Sequence, residues 1–321
     1  MATPSRRSSK SRTARRKVAK APRLRRCGTM SVHHRLLERD PGFRQRQTAL
    51  EHACARRMAR REFRLAGAPI TVPMVVHIVY NTSAENVSDS QVRSQIRVLN
   101  QDYAAKNADR TKVPGVWRGL VTDSGVRFAL AKKDPNGKST SGITRTQTTR
   151  TEFQDDDGVK RAASGGANAW PARKYLNIWV CTLAGGLLGY AQFPGGPPAT
   201  DGVVILNTAF GTVGTATAPF NRGRTATHEV GLWLNLRHIW GDTEDCSGSD
   251  FAADTPNAEG PNYGKPAFPH ISCSNGPNGD MFVNYMDYVD DAAMFMFTAQ
   301  QVARMSTTLE GPRRPIGRPT R

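Results

Sequence analysis

The sequence contains no long apolar run. Nothing in it approaches the ~18 consecutive apolar residues of a membrane-spanning helix, which excludes a helical integral membrane protein. No apolar stretch follows the basic start, so a secretory signal peptide is not expected there. Glycine and proline, 29 and 20 residues, follow no collagen period. Acidic residues are missing from residues 1–26, which hold eleven Lys or Arg. Beyond residue 66 the chain has almost no net charge, with 25 basic residues against 23 acidic ones. A nucleic-acid-binding body would keep its basic face after the terminal segment is set aside, and this one does not. The rest is ordinary for a globular chain: 321 residues, 38% hydrophobic and 22% charged, enough for one large domain or two modest ones.

Residues 1–26 read as a disordered basic tail, capable of nonspecific contact with nucleic acid or anionic surfaces. Residues 27–66 place apolar positions at helical spacing among many arginines after Asp40 and Pro41, predicting one or two short basic helices outside the main core. The main domain then runs over residues 67–310, and residues 311–321 read as a second basic tail. Within the domain, 70–80 (ITVPMVVHIVY) is a central strand, and 126–131, 174–182 and 201–207 are further strands. Residues 189–196 are an edge strand ended by Pro194 and two glycines. Helices are expected over 88–105, capped by Ser88 or Asp89, over 222–236 and over 298–309. Residues 241–280 show little periodicity. The pattern predicts an α+β fold with a twisted sheet, an active-site helix, and a cleft between two lobes, the second irregular and ending in a helix.

The chemistry concentrates in RTATHEVGLWLNLRHIWGD, residues 224–242. A zinc-protease helix needs two histidines four apart, so that both imidazoles leave one face, with a glutamate beside the first as general base. The longer version breaks at a glycine and returns a third histidine to the metal. Here His228, Glu229 and His238 keep that frame, but Leu232 stands at the fourth position after His228 and Asn235 at the glycine position. Asparagine tolerates the left-handed conformation that ends a helix. Leucine has no donor atom. Taken alone, a His-Glu pair with a distant histidine also fits core or surface histidines.

The wider sequence resembles the pappalysin family of metzincin zinc metalloproteases, in particular its microbial, ulilysin-like members. The resemblance is carried by NIWVC (177–181), LLGYAQFPGG (187–196), PFNRGRTATHE (219–229), DFAADTPNAEGPNYGKPAFPHISC (250–273), GDMFVNYMDYVDD (279–291) and FTAQQVARM (297–305). It implies zinc on His228 and His238, with Glu229 as general base. Met286 would be the Met-turn beneath the metal, and Tyr288 would stabilise the tetrahedral intermediate. The alternative for Met286 and Tyr288 is core packing. The family's second zinc histidine falls on Leu232 and is not carried over. The resemblance further implies a Cys246–Cys273 disulfide, a bridge worth roughly 3–4 kcal/mol by loop entropy. Cys54 and Cys181 are left free. Cys27, in RRCGTM, would ligate the zinc of a latent precursor, with residues 27–66 as its pro-segment; the alternative is an incidental exposed thiol. Asp254 and Thr255 fall in a loop that would hold calcium, or else satisfy their own turn.

The leading expectation is therefore a zinc metalloendopeptidase acting on protein or peptide substrates, impaired by Leu232. The competing one is a pseudoprotease that keeps the fold and binds peptides. A nucleic-acid binder driven by the basic tail is third. The family implies secretion, although no signal peptide is expected from the sequence.

Overall fold

Strand β1 (Ile70–Tyr80) organises the molecule, which is seen here as a computed structural model describing residues 24–63 and 67–318. Val72, Met74, Val75, Val76 and Ile78 are all fully buried. Burial on both faces is what a nearly continuous β-branched run demands. Along one edge β1 pairs in parallel with β2 (Val126–Leu130) through its first half and with β3 (Ile143–Gln147) through its second. Its other edge takes β4 (Leu176–Cys181), followed by β6 (Val203–Leu206) in parallel and β5 (Gly189–Ala191) antiparallel at the rim. Pro73 is tolerated because pairing to β4 begins only at Met74, so no neighbour asks for its missing N–H. Strand β3 was not expected: its residues are half-buried or exposed and give no apolar signal.

Helix α3 (Asp89–Tyr103) is capped by Ser88, whose hydroxyl accepts from the Gln91 N–H, and buries Val92, Leu99 and Tyr103. Helix α4 (Arg224–Trp233) stops short of the expected residue 236, and α5 (Ala299–Glu310) closes the domain with a Thr298–Gln301 capping box. No helix among the described residues is long and apolar enough to cross a membrane.

Several assignments differ from the sequence reading. The two basic helices, α1 (Thr29–Arg39) and α2 (Pro41–Ala59), are not peripheral: Val32, Phe43, Leu50 and Cys54 are buried, α1 against β5 and α2 against α5. Residues 1–23 of the expected tail lie outside the described residues, but Arg25 is buried. Residues 311–318 form turns that pack onto the body. Arg313 sits 3.9 Å above the Trp233 ring and pairs with Asp201, and Ile316 is buried. The strand expected over 189–196 shortens to β5: the Gln192 N–H still reaches the Gly202 carbonyl in the same register, and the chain turns at Pro194 and Gly195. The stretch 241–280 has neither helix nor strand and is stapled by the Cys246–Cys273 disulfide, with Cα atoms 5.5 Å apart. Cys54 and Cys181 are free and buried.

Candidate metal centre and active site

Every residue of α4 is buried, so each polar side chain on it needs a partner or a task. Its first turn is anchored by Arg224, whose guanidinium meets Asp102 at 3.1 Å and Asp109 at 3.0 Å, while Thr227 donates to Asp102 at 2.7 Å. One turn later stand His228 and Glu229. The helix ends where Asn235 adopts a φ of +71°, the left-handed stop anticipated for that position. The reversal returns His238 to the face of His228. The two rings stack with centroids 5.1 Å apart, and Trp240 lies parallel to His238 at 4.6 Å.

The hydrogen bonds of these histidines define what they can bind. His228 Nδ1 lies 2.8 Å from the Tyr285 carbonyl, which only accepts, so Nδ1 carries the proton. His238 Nδ1 donates to the Asp242 carboxylate. With both Nδ1 atoms so engaged, the two rings turn Nε2 toward each other, and the Nε2 atoms face across 3.2 Å. Burial, reinforced by His238 and Arg25, holds His228 well below the usual histidine range. A cation shared between them, a proton or a metal ion, satisfies both nitrogens. The spacing is close to the ~3.3 Å between two nitrogens bound at ~2.0–2.1 Å to a tetrahedral zinc. The Cys27 sulfur joins them, all three donor atoms lying within 4.8 Å of one another. The residues present thus fit a zinc ion, with carboxylate and carbonyl partners fixing both imidazoles.

Glu229 lies beside this cluster. Its Oε2 is 3.3 Å from Cys27 Sγ and accepts from the Thr29 hydroxyl at 3.2 Å, and burial pushes its carboxyl up to about 8. The carboxyl can sit under the rim because β5 has a glycine there: a Cβ on Gly189 would fall 2.9 Å from Glu229 Cγ. Leu232, one turn beyond His228, is fully buried in the core. Met286 is also fully buried, its sulfur so close beneath α4 that a Cβ on Gly231 would come within 2.6 Å of it. The Tyr288 ring lies 5.0 Å from His238 and 5.7 Å from His228.

The segment before α1 fills the cleft. The Gly28 N–H donates to the Gly189 carbonyl at 3.0 Å and the Leu188 N–H to the Arg26 carbonyl at 2.9 Å, so the chain runs parallel to β5. The Ala191 N–H is taken by the Thr29 hydroxyl at 2.8 Å. Just upstream, the Arg25 guanidinium is buried on Asp291 at 2.7 Å. It also donates to Thr225 Oγ1 and the Val289 carbonyl, over the ring of Phe220.

The sequence reading brought His228, His238, Glu229, Cys27, Met286 and Tyr288 to one place. It missed Asp242, Trp240, Thr29, Arg25 and Asp291. Asp242, four residues after His238, was the readable one, being a carboxylate within a turn of a proposed ligand. Asp254 and Thr255 lie apart from this cluster. The Asp254 carboxylate accepts from Thr298 Oγ1 and the Gln300 N–H and so caps α5, while the Thr255 hydroxyl lies 2.6 Å from both Asp250 Oδ2 and the Ala252 carbonyl. In this structure these oxygens make folding contacts.

Comparison with known proteins gives consistent findings. The family model of pregnancy-associated plasma protein-A, a metallopeptidase family, matches residues 161–310. An extracellular metalloprotease of Arthroderma benhamiae is 31% identical over 245 residues, covering 74% of this chain and 77% of that protein. One from Pyricularia oryzae is 34% identical over 250 residues, 74% of each chain. Among solved structures, a promirolysin mutant of Tannerella forsythia superposes with a TM-score of 0.83 at 45% identity, over 92% of this chain and all (100%) of that one. Mature mirolysin of the same organism, in complex with a cleaved peptide, gives 0.75 at 49% identity over 79% of this chain and 100% of its own.

Proposed function

The chain belongs to the pappalysin family of metalloproteases, and from that premise we propose that it is built to hydrolyse peptide bonds at a zinc site on His228 and His238, with Glu229 as general base. The observation that carries this reading is the pair of facing Nε2 atoms, with the Cys27 sulfur close by, beside a buried carboxyl. Bound zinc supplies a Lewis acid that polarises water and the scissile carbonyl. Glu229 Oε takes the proton of the attacking water and delivers it to the leaving amine. Asp242 and the Tyr285 carbonyl keep both imidazoles in the Nδ1–H tautomer. Tyr288 stands over the histidines as a donor for the developing oxyanion, and Met286 is the apolar floor. The outer edge of β5 receives an extended substrate by main-chain hydrogen bonds.

We further read residues up to the 64–66 junction as a removable pro-segment. Cys27 closes the metal site, and the promirolysin match, longer than the mature one, supports this reading. Once the segment leaves, Asp291 loses its guanidinium and keeps the Arg222 and Arg224 backbone N–H donors. Such a group calls for a cation, so the pocket suits a basic substrate side chain beside the scissile bond. Relatives named extracellular, and a disulfide, support an exported protein.

Leu232 favours a second reading, the same fold with weak or absent catalysis, because catalytic zinc normally has three protein ligands. The deciding experiment measures zinc stoichiometry together with cleavage of peptides carrying arginine or alanine beside the bond, in the wild type and in Asp291→Asn. Stoichiometric zinc with arginine-dependent cleavage supports the protease. Zinc-free, inert protein that still binds arginine peptides supports the pseudoprotease.

A further inference from the structure

Arg25 is not the only charge through which the segment is seated. Farther along, Glu51 on α2 points into the body in the opposite electrical sense. Its two oxygens each meet an Arg304 Nη at 2.7 Å, the Asn235 amide donates to it at 3.2 Å, and Arg237 approaches to 3.8 Å. These hydrogen bonds and the Arg304 guanidinium hold Glu51 below the usual carboxylate range despite burial.

Arg304 is set by the body rather than by α2, whereas Arg237 also donates to Gln47 Oε1 on α2 at 3.2 Å. The Arg304 Nε–H donates to the Asn235 carbonyl at 3.0 Å, the Arg237 guanidinium rests 4.1 Å over the Phe193 ring, and Asn235 is fixed in its left-handed turn. A cavity of about 710 Å3 opens beside them between α2 and the 249–257 loop. When α2 is lifted away, the Arg304 guanidinium stays held by the Asn235 carbonyl, with Arg237 on the Phe193 ring beside it and Glu51 gone. A planar guanidinium fork of this kind matches a carboxylate bidentately.

We propose that Arg304, Arg237 and Asn235 form a carboxylate-binding exosite of the mature protein. Its ligand is an acidic side chain on a helical segment of a protein substrate, seated as α2 is seated in the precursor. The proposal rests on the pro-segment reading. The opened cleft then selects for charge at two separate points, a cation at Asp291 and an anion at Arg304.

The test uses the full chain with a specific-protease site in place of residues 64–66. After cutting, chelator is added to remove any metal–thiol contact. Uptake of a labelled peptide copying residues 41–59 is compared with uptake of its Glu51→Gln version. The native peptide should bind about 30-fold tighter or more, as for truncation of a buried charged pair. That preference should collapse when the body carries Arg304→Met. Equal binding of the two peptides overturns the exosite. A Glu51 preference that survives Arg304→Met overturns its assignment to that arginine. Permanent retention of the cut segment with no peptide uptake overturns instead the reading of a removable pro-segment. If Arg304→Met fails to fold, the two peptides on the unaltered body still decide the matter.

Discussion

Replacing Leu232 by histidine tests the site at its weakest point. Leu232 lies four residues after His228, about 6 Å farther along the same face of α4 at 1.5 Å rise per residue. Its isobutyl group is fully buried, so the substitution forfeits about 2 kcal/mol of apolar burial in metal-free protein. In return it adds a third nitrogen to a site that has two. Losing even a partner outside the ligand sphere typically weakens metal binding or activity ~10–100-fold, so gaining a ligand should tighten zinc by at least that factor. The measurement is zinc affinity by competition with a chromophoric chelator, paired with thermal stability with and without zinc. Leu232→His should be less stable than wild type when stripped and more stable when loaded, and peptidase activity should rise with occupancy. The reasoning is refuted if the wild-type chain already holds stoichiometric zinc tightly and is fully active. A variant that binds zinc fully yet stays inert would place the defect elsewhere in the cleft.

Two further outcomes follow. Cys27→Ala should release metal from the full-length chain more readily than wild type, because it removes one of three donors lying within 4.8 Å of each other; equal retention in a chelator-challenge assay would show that the thiol is no ligand. Burial pushes the carboxyls of Asp250 and Asp287 up to about 7. The folded chain therefore keeps protons that the unfolded chain gives up near pH 4, so this stabilisation is complete below that pH and is lost as pH rises through 7. Each group accounts for up to about 1.4 kcal/mol per pH unit in that window. Asp287→Asn should flatten the fall of the thermal midpoint between pH 5 and 7.5, and an unchanged slope would exclude this residue as a source.

The parts of the fold that could be read from sequence are those where one residue pattern admits one structure. The run Ile70–Tyr80 could only be a buried strand, and Ser88 ahead of an apolar 3.6-residue period could only open a helix. Strand β3 escaped because ITRTQ borrows its place from β1 rather than from its own apolarity. The site divides in the same way. His228, Glu229 and His238 are local in sequence, and their roles follow from helix geometry. Arg25 and Asp291 are 266 residues apart, and Glu51 and Arg304 are 253 apart. Ion pairs across such distances leave no local signature, so helices that look like a solvated basic segment prove to be interior.

The pairing of the sheet also bears on how the chain reaches this structure. Strand β1 meets all three of its neighbours in parallel, so none of those contacts can form as a hairpin, and each waits for a long loop to close. Among the strands of the described residues, only β5 and β6 are antiparallel and near in sequence. In kinetic terms the rim of the cleft is the cheapest piece of sheet to nucleate, while its centre is the slowest. The antiparallel rim closes over the shortest loop between paired strands of the sheet, and the chain's own Arg26–Gly28 lies along its outer edge.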